Sequence, residues 1–154
     1  MVRLDAQMQI LIRNFSLGSV ATVNDDGSPA VSPKATFVVV DDQRIAYGDI
    51  RSPGTRQNLL ARPAVEVVFC DILARLAVRV RGTAAVVDKD SAVGSELRPH
   101  FDEYWAPYVD MMREFVLIEV EHASLIKSPG YDIGLSREEL VAANFEKLSR
   151  LARA

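Results

Sequence analysis

The residues best suited to hold a charged ligand lie in one stretch, Gly48-Asp49-Ile50-Arg51-Ser52-Pro53-Gly54-Thr55-Arg56-Gln57-Asn58. Ser52 is placed to cap a helix that Pro53 begins, and a helix start offers an anion unpaired N–H groups and partial positive charge. Ser52 and Thr55 can donate hydroxyl hydrogen bonds, and Arg56 and Arg51 charge-assisted ones. The same residues also fit a capped helix with arginines in water, and both readings stay open. A second stretch, Val31-Ser32-Pro33-Lys34-Ala35-Thr36, puts Ser32, Lys34 and Thr36 on one face of a strand. Pro33 leaves one N–H position empty, which suits a plain sheet edge with a solvent-facing lysine or a place where something docks against the backbone. A third face carries Arg75, Arg79 and Arg81. It reads either as a solvated exterior or as an interface that closes over an anionic ligand.

No G-x-S-x-G elbow, P-loop, G-x-G-x-x-G or histidine pair at metal spacing occurs in the sequence. Asp49 and Glu66 stand without an evident carboxylate partner. An enzyme built from this chain therefore leaves its chemistry to a cofactor, the protein supplying position and electrostatics. The single cysteine, Cys70, reads as a buried strand residue; with His100 and His122 far apart, it argues against an internal disulfide and a His/Cys zinc site. It also fits a reducing, cytoplasmic setting. No apolar run is long enough to cross a bilayer.

At 154 residues, with 49% hydrophobic and 25% charged side chains, the chain reads as one globular domain over residues 1–154. A net charge of −3 argues against general affinity for nucleic acid. The charge is uneven: residues 29–87 carry eight basic and five acidic side chains, a local excess of +3 inside an acidic protein.

The elements that position these residues follow from periodicity and turn chemistry. Leu4, Met8, Leu11, Ile12 and Phe15 share one helical stripe, so residues 3–15 read as an amphipathic helix. Asn24-Asp25-Asp26-Gly27-Ser28 is a turn, and residues 30–40 are expected to return as the second arm of a hairpin with Val20–Asn24. A tight turn at 41–43 leads into a strand over 44–48. Two further strands are expected at 64–71 and 76–87, and a sixth at 115–126. Residues 52–62 read as a short helix, 88–113 as a helical excursion broken by Pro99 and Pro107, and Ser136 with Glu139 as the capping box of a closing helix. Its stripe is Leu140, Asn144, Phe145 and Leu148. Six short strands with one helix between the third and fourth suit a mainly β protein with peripheral helices, its antiparallel sheet curled into a small barrel.

The pieces "LGSVATVNDDGSPAVSPKATFV", "SPGTRQNLLARP" and "VRVRGTA", in this order, resemble the pyridoxamine 5′-phosphate oxidase-like, FMN-binding split β-barrel proteins. The resemblance is close over about half the chain, Gly18 to Val87. It implies a six-stranded split barrel and a homodimer with FMN in the groove between subunits. The segment Ala30–Thr36 would run along the isoalloxazine and ribityl chain, with Ser32 and Pro33 approaching the ring and Lys34 near ring or phosphate. Phosphate contacts would fall between Asp49 and Asn58, on Ser52, Thr55 and Arg56, with Asn58 holding the loop. Arg79 and Arg81 would lie at the subunit interface, where either can reach the partner's flavin.

The chain departs from true pyridoxamine phosphate oxidases at two places. It has Gly54-Thr55 and then Arg56 where they carry an Arg-Lys pair, and it ends in a helix over 136–154 in place of a substrate-binding strand. "SPGTRQNL" is more similar to the stand-alone, flavin reductase-like branch. The resemblance thus implies an FMN-dependent oxidoreductase that passes hydride or electrons between a reduced nicotinamide and a small acceptor, with no dedicated catalytic side chain. The alternatives are a non-catalytic flavin carrier or sensor and a relative that binds F420; haem fits less well, because neither histidine has a recognisable ligand context. Tyr104, Trp105, Pro107 and Tyr108 form either a lid over the flavin or a packed aromatic cluster.

Overall fold

The computed structural model describes residues 3–154. Helix α1 (Ala6–Asn14) starts where the Asp5 carboxylate accepts the Met8 N–H at 2.8 Å, and it buries Leu11 and Ile12. Seven antiparallel strands follow: β1 (Gly18–Val23), β2 (Pro29–Lys34), β3 (Phe37–Val39), β4 (Arg44–Asp49), β5 (Ala64–Asp71), β6 (Leu76–Asp88) and β7 (Glu114–Lys127). Helix α2 (Pro53–Ala61) joins β4 to β5, α3 (Ala92–Trp105) and a 3-10 turn (Ala106–Met111) join β6 to β7, and α4 (Arg137–Leu151) closes the chain. Among the described residues, no helix is long and apolar enough to cross a membrane.

The strand count corrects the expected six, because the arm over 30–40 is two strands. β2 pairs with β1 and β3 with β4, so the halves of one arm sit at opposite margins of the sheet, in the order β2-β1-β5-β6-β7-β4-β3. Ala35 and Thr36 alone separate them, which limits the distance between the margins to about 11 Å. The sheet must therefore curl back on itself, as a split barrel does. The break has a local cause. Thr36 Oγ1 donates to the Gly48 carbonyl at 2.8 Å and accepts the Gly48 N–H at 3.1 Å, so a side chain stands in for one step of the backbone ladder.

Tight turns set the registers. The β1–β2 hairpin closes through Asn24 and Ser28, with Gly27 at a φ of 81°. Arg75, expected on the face of the β6 arginines, lies instead in the β5–β6 turn at a φ of 57° and reaches Asn144 of α4 at 3.3 Å. In β6 the alternation holds: Leu76, Val78 and Val80 are buried while Arg79 and Arg81 are exposed. A bulge follows Arg81, and there the strands cross so closely that a Cβ on Gly82 would stand 2.0 Å from the Glu119 carbonyl oxygen.

The barrel interior holds Phe37, Ile45, Tyr47, Val67, Phe69, Val78 and Ile118, capped by Leu4 and Ile12. Phe37 contacts Phe69 edge to face, with ring centroids 4.7 Å apart. A second cluster, built by Phe101, Phe115, Leu97, Met112 and Val38, lies between the sheet and α3. β3 and β4 are thus covered on both faces, which is why their apolar residues run without alternation. Helix α3 continues through Pro99, contrary to the expected break, because Leu97 and Phe101 on either side are buried in this cluster. α4 has the expected capping box, but Phe145 points to solvent at 63% exposure; Val141 makes the contact with the barrel. Cys70 is exposed, not buried, since it lies on the outward face of β5 between buried Phe69 and Asp71.

Candidate functional site

Two neighbouring clefts open where β4 ends and α2 begins. The larger, about 920 Å³, is lined by Asp49, Ile50, Ser52, Arg56, Arg113 and Glu114 among others. The smaller, about 390 Å³, is lined by Pro33, Lys34, Thr36, Gly48, Trp105 and Tyr108 among others. Ile50 and Ser52 belong to both, so a chamber with two arginines and two carboxylates runs into a slot with aromatic walls.

Five of the ten expected residues, Pro33, Lys34, Asp49, Ser52 and Arg56, line these clefts. Ser52 starts α2, but its side chain makes no capping hydrogen bond, and so its hydroxyl is left to the clefts. Lys34 is 8% exposed and contradicts the solvent-facing alternative. Its ammonium donates to Ser32 Oγ across the strand face that alternation assigned to both residues. Burial holds the Lys34 pKa below its ordinary value, and the charge of Asp49 opposes that fall. Asp49 is 5% exposed at the end of β4. The same burial, with Asp49's charge added, drives the Tyr47 phenol well above its usual range.

Arg56 faces the larger cleft but is already engaged. Its Nε and Nη2 donate to Glu114 Oε2 and Oε1 at 2.5 and 2.8 Å, a bidentate pair. That hydrogen bond holds the Glu114 carboxyl below the usual range against its partial burial. An anion entering the chamber must share Arg56 with Glu114 or displace it. Arg113, at the start of β7, is a further exposed cation on the same wall.

Thr55 and Asn58 face the protein. Thr55 is buried, and Asn58 Nδ2 donates to Thr22 Oγ1 at 3.0 Å and Asn24 Oδ1 at 2.9 Å. Asn58 therefore ties α2 to β1 and to the first turn. Arg79 and Arg81 are not brought to this site within one chain. They line a separate polar recess of about 430 Å³ on the outer face with Glu66, His122 and Ser124, and Arg79 pairs with Glu66 at 3.3 Å.

The aromatic segment divides its roles. Trp105 is half-buried, its Nε1–H donates to the Phe37 carbonyl at 3.1 Å, and it walls the smaller cleft beside exposed Tyr108. The bond pins the end of α3 over the β2–β3 junction. Sequence reasoning missed Arg113 and Glu114. Glu114 lies 58 residues from Arg56, and only the β4–β7 register, which sets Asp49 against Glu114, brings it to the cleft. Among the described residues, no group of three or more His, Cys, Asp or Glu side chains is placed to hold a metal.

The chemistry of the donor set fits a ligand with an anionic end and a flat, less polar end. Comparisons with solved structures agree on the fold. HupZ of Group A Streptococcus is 25% identical, with a TM-score of 0.68 over 80% of this chain and 94% of that one. HutZ, the haem storage protein of Vibrio cholerae, is 20% identical, with a TM-score of 0.65 over 81% and 94%. An FMN-binding protein of Syntrophomonas wolfei is 10% identical, with a TM-score of 0.64 over 78% and 84%. None of the curated proteins matches in sequence. The family model described as pyridoxamine 5′-phosphate oxidase matches residues 4–127, from the strand-leading helix to the end of β7. The chain belongs to the pyridoxamine 5′-phosphate oxidase family.

Proposed function

We propose that the protein is an FMN-dependent oxidoreductase that works as a homodimer and passes hydride between a reduced nicotinamide and a small acceptor. The observation that carries this reading is the continuity of the two clefts through Ile50 and Ser52, which joins a chamber carrying Arg56 and Arg113 to an aromatic-walled slot. Both volumes lie in the range of small-molecule sites. The phosphate, of about −2 charge near neutral pH, belongs beside Ser52, Arg56 and Arg113, and the ring beside Pro33, Lys34 and Trp105. Bound flavin supplies the hydride and electron chemistry at its own ring. The residues of this chain bind and orient it, and Lys34 offers positive charge close to the ring.

Two features support the dimer. The isolated chain exposes 8970 Å², against about 7,700 Å² for a monomer of its mass. The outer face also leaves Val31 and Ile126 exposed, on the same face of the sheet as Arg79 and Arg81. In a dimer the Arg79–Arg81 recess supplies the second subunit's contribution to the ligand.

The test has two arms. The absorption spectrum and mass of the copurifying ligand are expected to be those of FMN; a Soret band in its place, or the mass of F420, refutes the assignment. Arg56→Ala is expected to weaken FMN more than riboflavin, and equal losses would show that Arg56 does not reach the phosphate. Steady-state oxidation of NADH or NADPH with added acceptors separates an enzyme from a carrier: bound FMN without turnover overturns the catalytic half of the proposal.

A further inference from the structure

Asp49 Oδ1 is the one buried side-chain nitrogen or oxygen among the described residues that has no hydrogen-bond partner. A carboxylate oxygen removed from water and left unpaired is costly, and such an atom in a folded protein calls for an explanation. The cations near enough to feel its charge are Lys34 and Arg56. Neither donates to it: the Lys34 ammonium donates to Ser32, and the Arg56 guanidinium to Glu114. The Arg113 backbone N–H donates to the backbone oxygen of Asp49 at 2.8 Å. The neighbourhood thus holds positive charge, yet no donor hydrogen-bonds this oxygen.

Asp49 lines the chamber with Ser52, Arg56 and Arg113. A ligand in the chamber can supply the missing donor, but an ionised phosphate cannot, because it has no proton to give and repels a carboxylate. The donor is then a hydroxyl or N–H a few bonds away from the anionic group. We propose that Asp49 accepts a hydrogen bond from a hydroxyl of the ligand's polyol chain, so that the chamber selects a phosphorylated polyol over a simple phosphate ester. The inference rests on the flavin reading above and adds a specificity determinant to it: Arg56 and Arg113 take the phosphate, and Asp49 takes the ribityl chain.

Titration of the full-length protein with riboflavin, FMN and lumiflavin, which lacks the polyol, tests this. The readout is quenching of Trp105, the single tryptophan, which walls the adjoining slot. Asp49→Ala is expected to weaken riboflavin and FMN about 10- to 150-fold, the value of a hydrogen bond to a charged group, and to leave lumiflavin unchanged. Asp49→Asn keeps an accepting oxygen and is expected to recover most of the riboflavin affinity. Equal loss for all three ligands, or no loss for any, overturns the role of Asp49 while leaving the flavin reading intact. If the wild-type protein binds none of the three, the flavin reading falls and this inference with it. Should Asp49→Ala fail to fold, an FMN analogue with its side-chain hydroxyls replaced by hydrogen makes the same comparison on the wild-type protein: it is expected to bind more weakly than FMN by the same factor, and equal binding refutes the proposal.

Discussion

Asn58 is the clasp that fixes the start of α2 against β1, and removing it has a calculable cost. The side chain is 7% exposed, and its amide donates at 3.0 Å to Thr22 Oγ1 and at 2.9 Å to Asn24 Oδ1. Asn58→Ala removes both bonds. Each contributes about 1 kcal/mol net, and the part of Thr22 left unpaired in a buried place adds a fraction more. The expected loss is about 2–3 kcal/mol, which for a protein of this size lowers Tm by about 4–12 °C. Urea denaturation gives the free energy directly, through a lower midpoint at unchanged slope. Asn58→Asp is expected to be at least as harmful, because it places an acceptor against the Asn24 oxygen and buries a charge. The pairwise term comes from a double-mutant cycle with Thr22→Val, for which residues in direct hydrogen-bond contact are expected to couple by at least about 0.5 kcal/mol. FMN and riboflavin should weaken by the same factor in Asn58→Ala, since the loop moves and no ligand contact is deleted. A variant within about 0.5 kcal/mol of wild type, the scatter of ordinary surface changes, or strict additivity in the cycle, refutes the account of Asn58 as a tie.

Lys34 gives a pH signature. Its pKa in the folded protein lies below the ordinary 10.5, so between those two values the unfolded chain holds more protons and stability rises with pH. Lys34→Met is expected to remove that rise and to raise Tm at neutral pH in the ligand-free protein, while weakening FMN; melts across the alkaline range check it, and an unchanged slope refutes it. Gly82→Ala drives a Cβ to within 2.0 Å of the Glu119 backbone oxygen, which no side-chain rotation relieves. A loss of about 2 kcal/mol or more is expected by chemical denaturation, and a neutral effect would show that the β6–β7 crossing is looser than described.

The sequence made visible whatever depends on near neighbours along the chain. The Asn24–Ser28 turn, the alternation of β6 and the Ser136–Glu139 capping box are each closed by residues within a few positions. The cleft residues Ser52 and Arg56 were legible for the same reason, because a strand end, a proline and a helix start occur in one short run. Other features depend on the tertiary structure. Residues 30–40 form one apolar arm until Thr36 pairs with Gly48, twelve residues away. Pro99 signals a helix break that burial of Leu97 and Phe101 overrides. Cys70 is a different case: alternation from Val65 through Phe69 already turns it outward.

The strand order has a consequence for the way the protein is made. β7, the last strand synthesised, occupies the interior of the sheet between β6 and β4. Until residue 127 has left the ribosome, β2-β1-β5-β6 and the β3–β4 hairpin are separate ribbons linked by Ala35 and Thr36, with the inner edges of β4 and β6 unpaired. The final strand is the bolt that closes the ring, and its pairings span long stretches of chain, the kind of contact that forms slowly. A nascent chain stalled before this point presents two adhesive strand edges at once, the condition under which a half-made barrel most needs a chaperone.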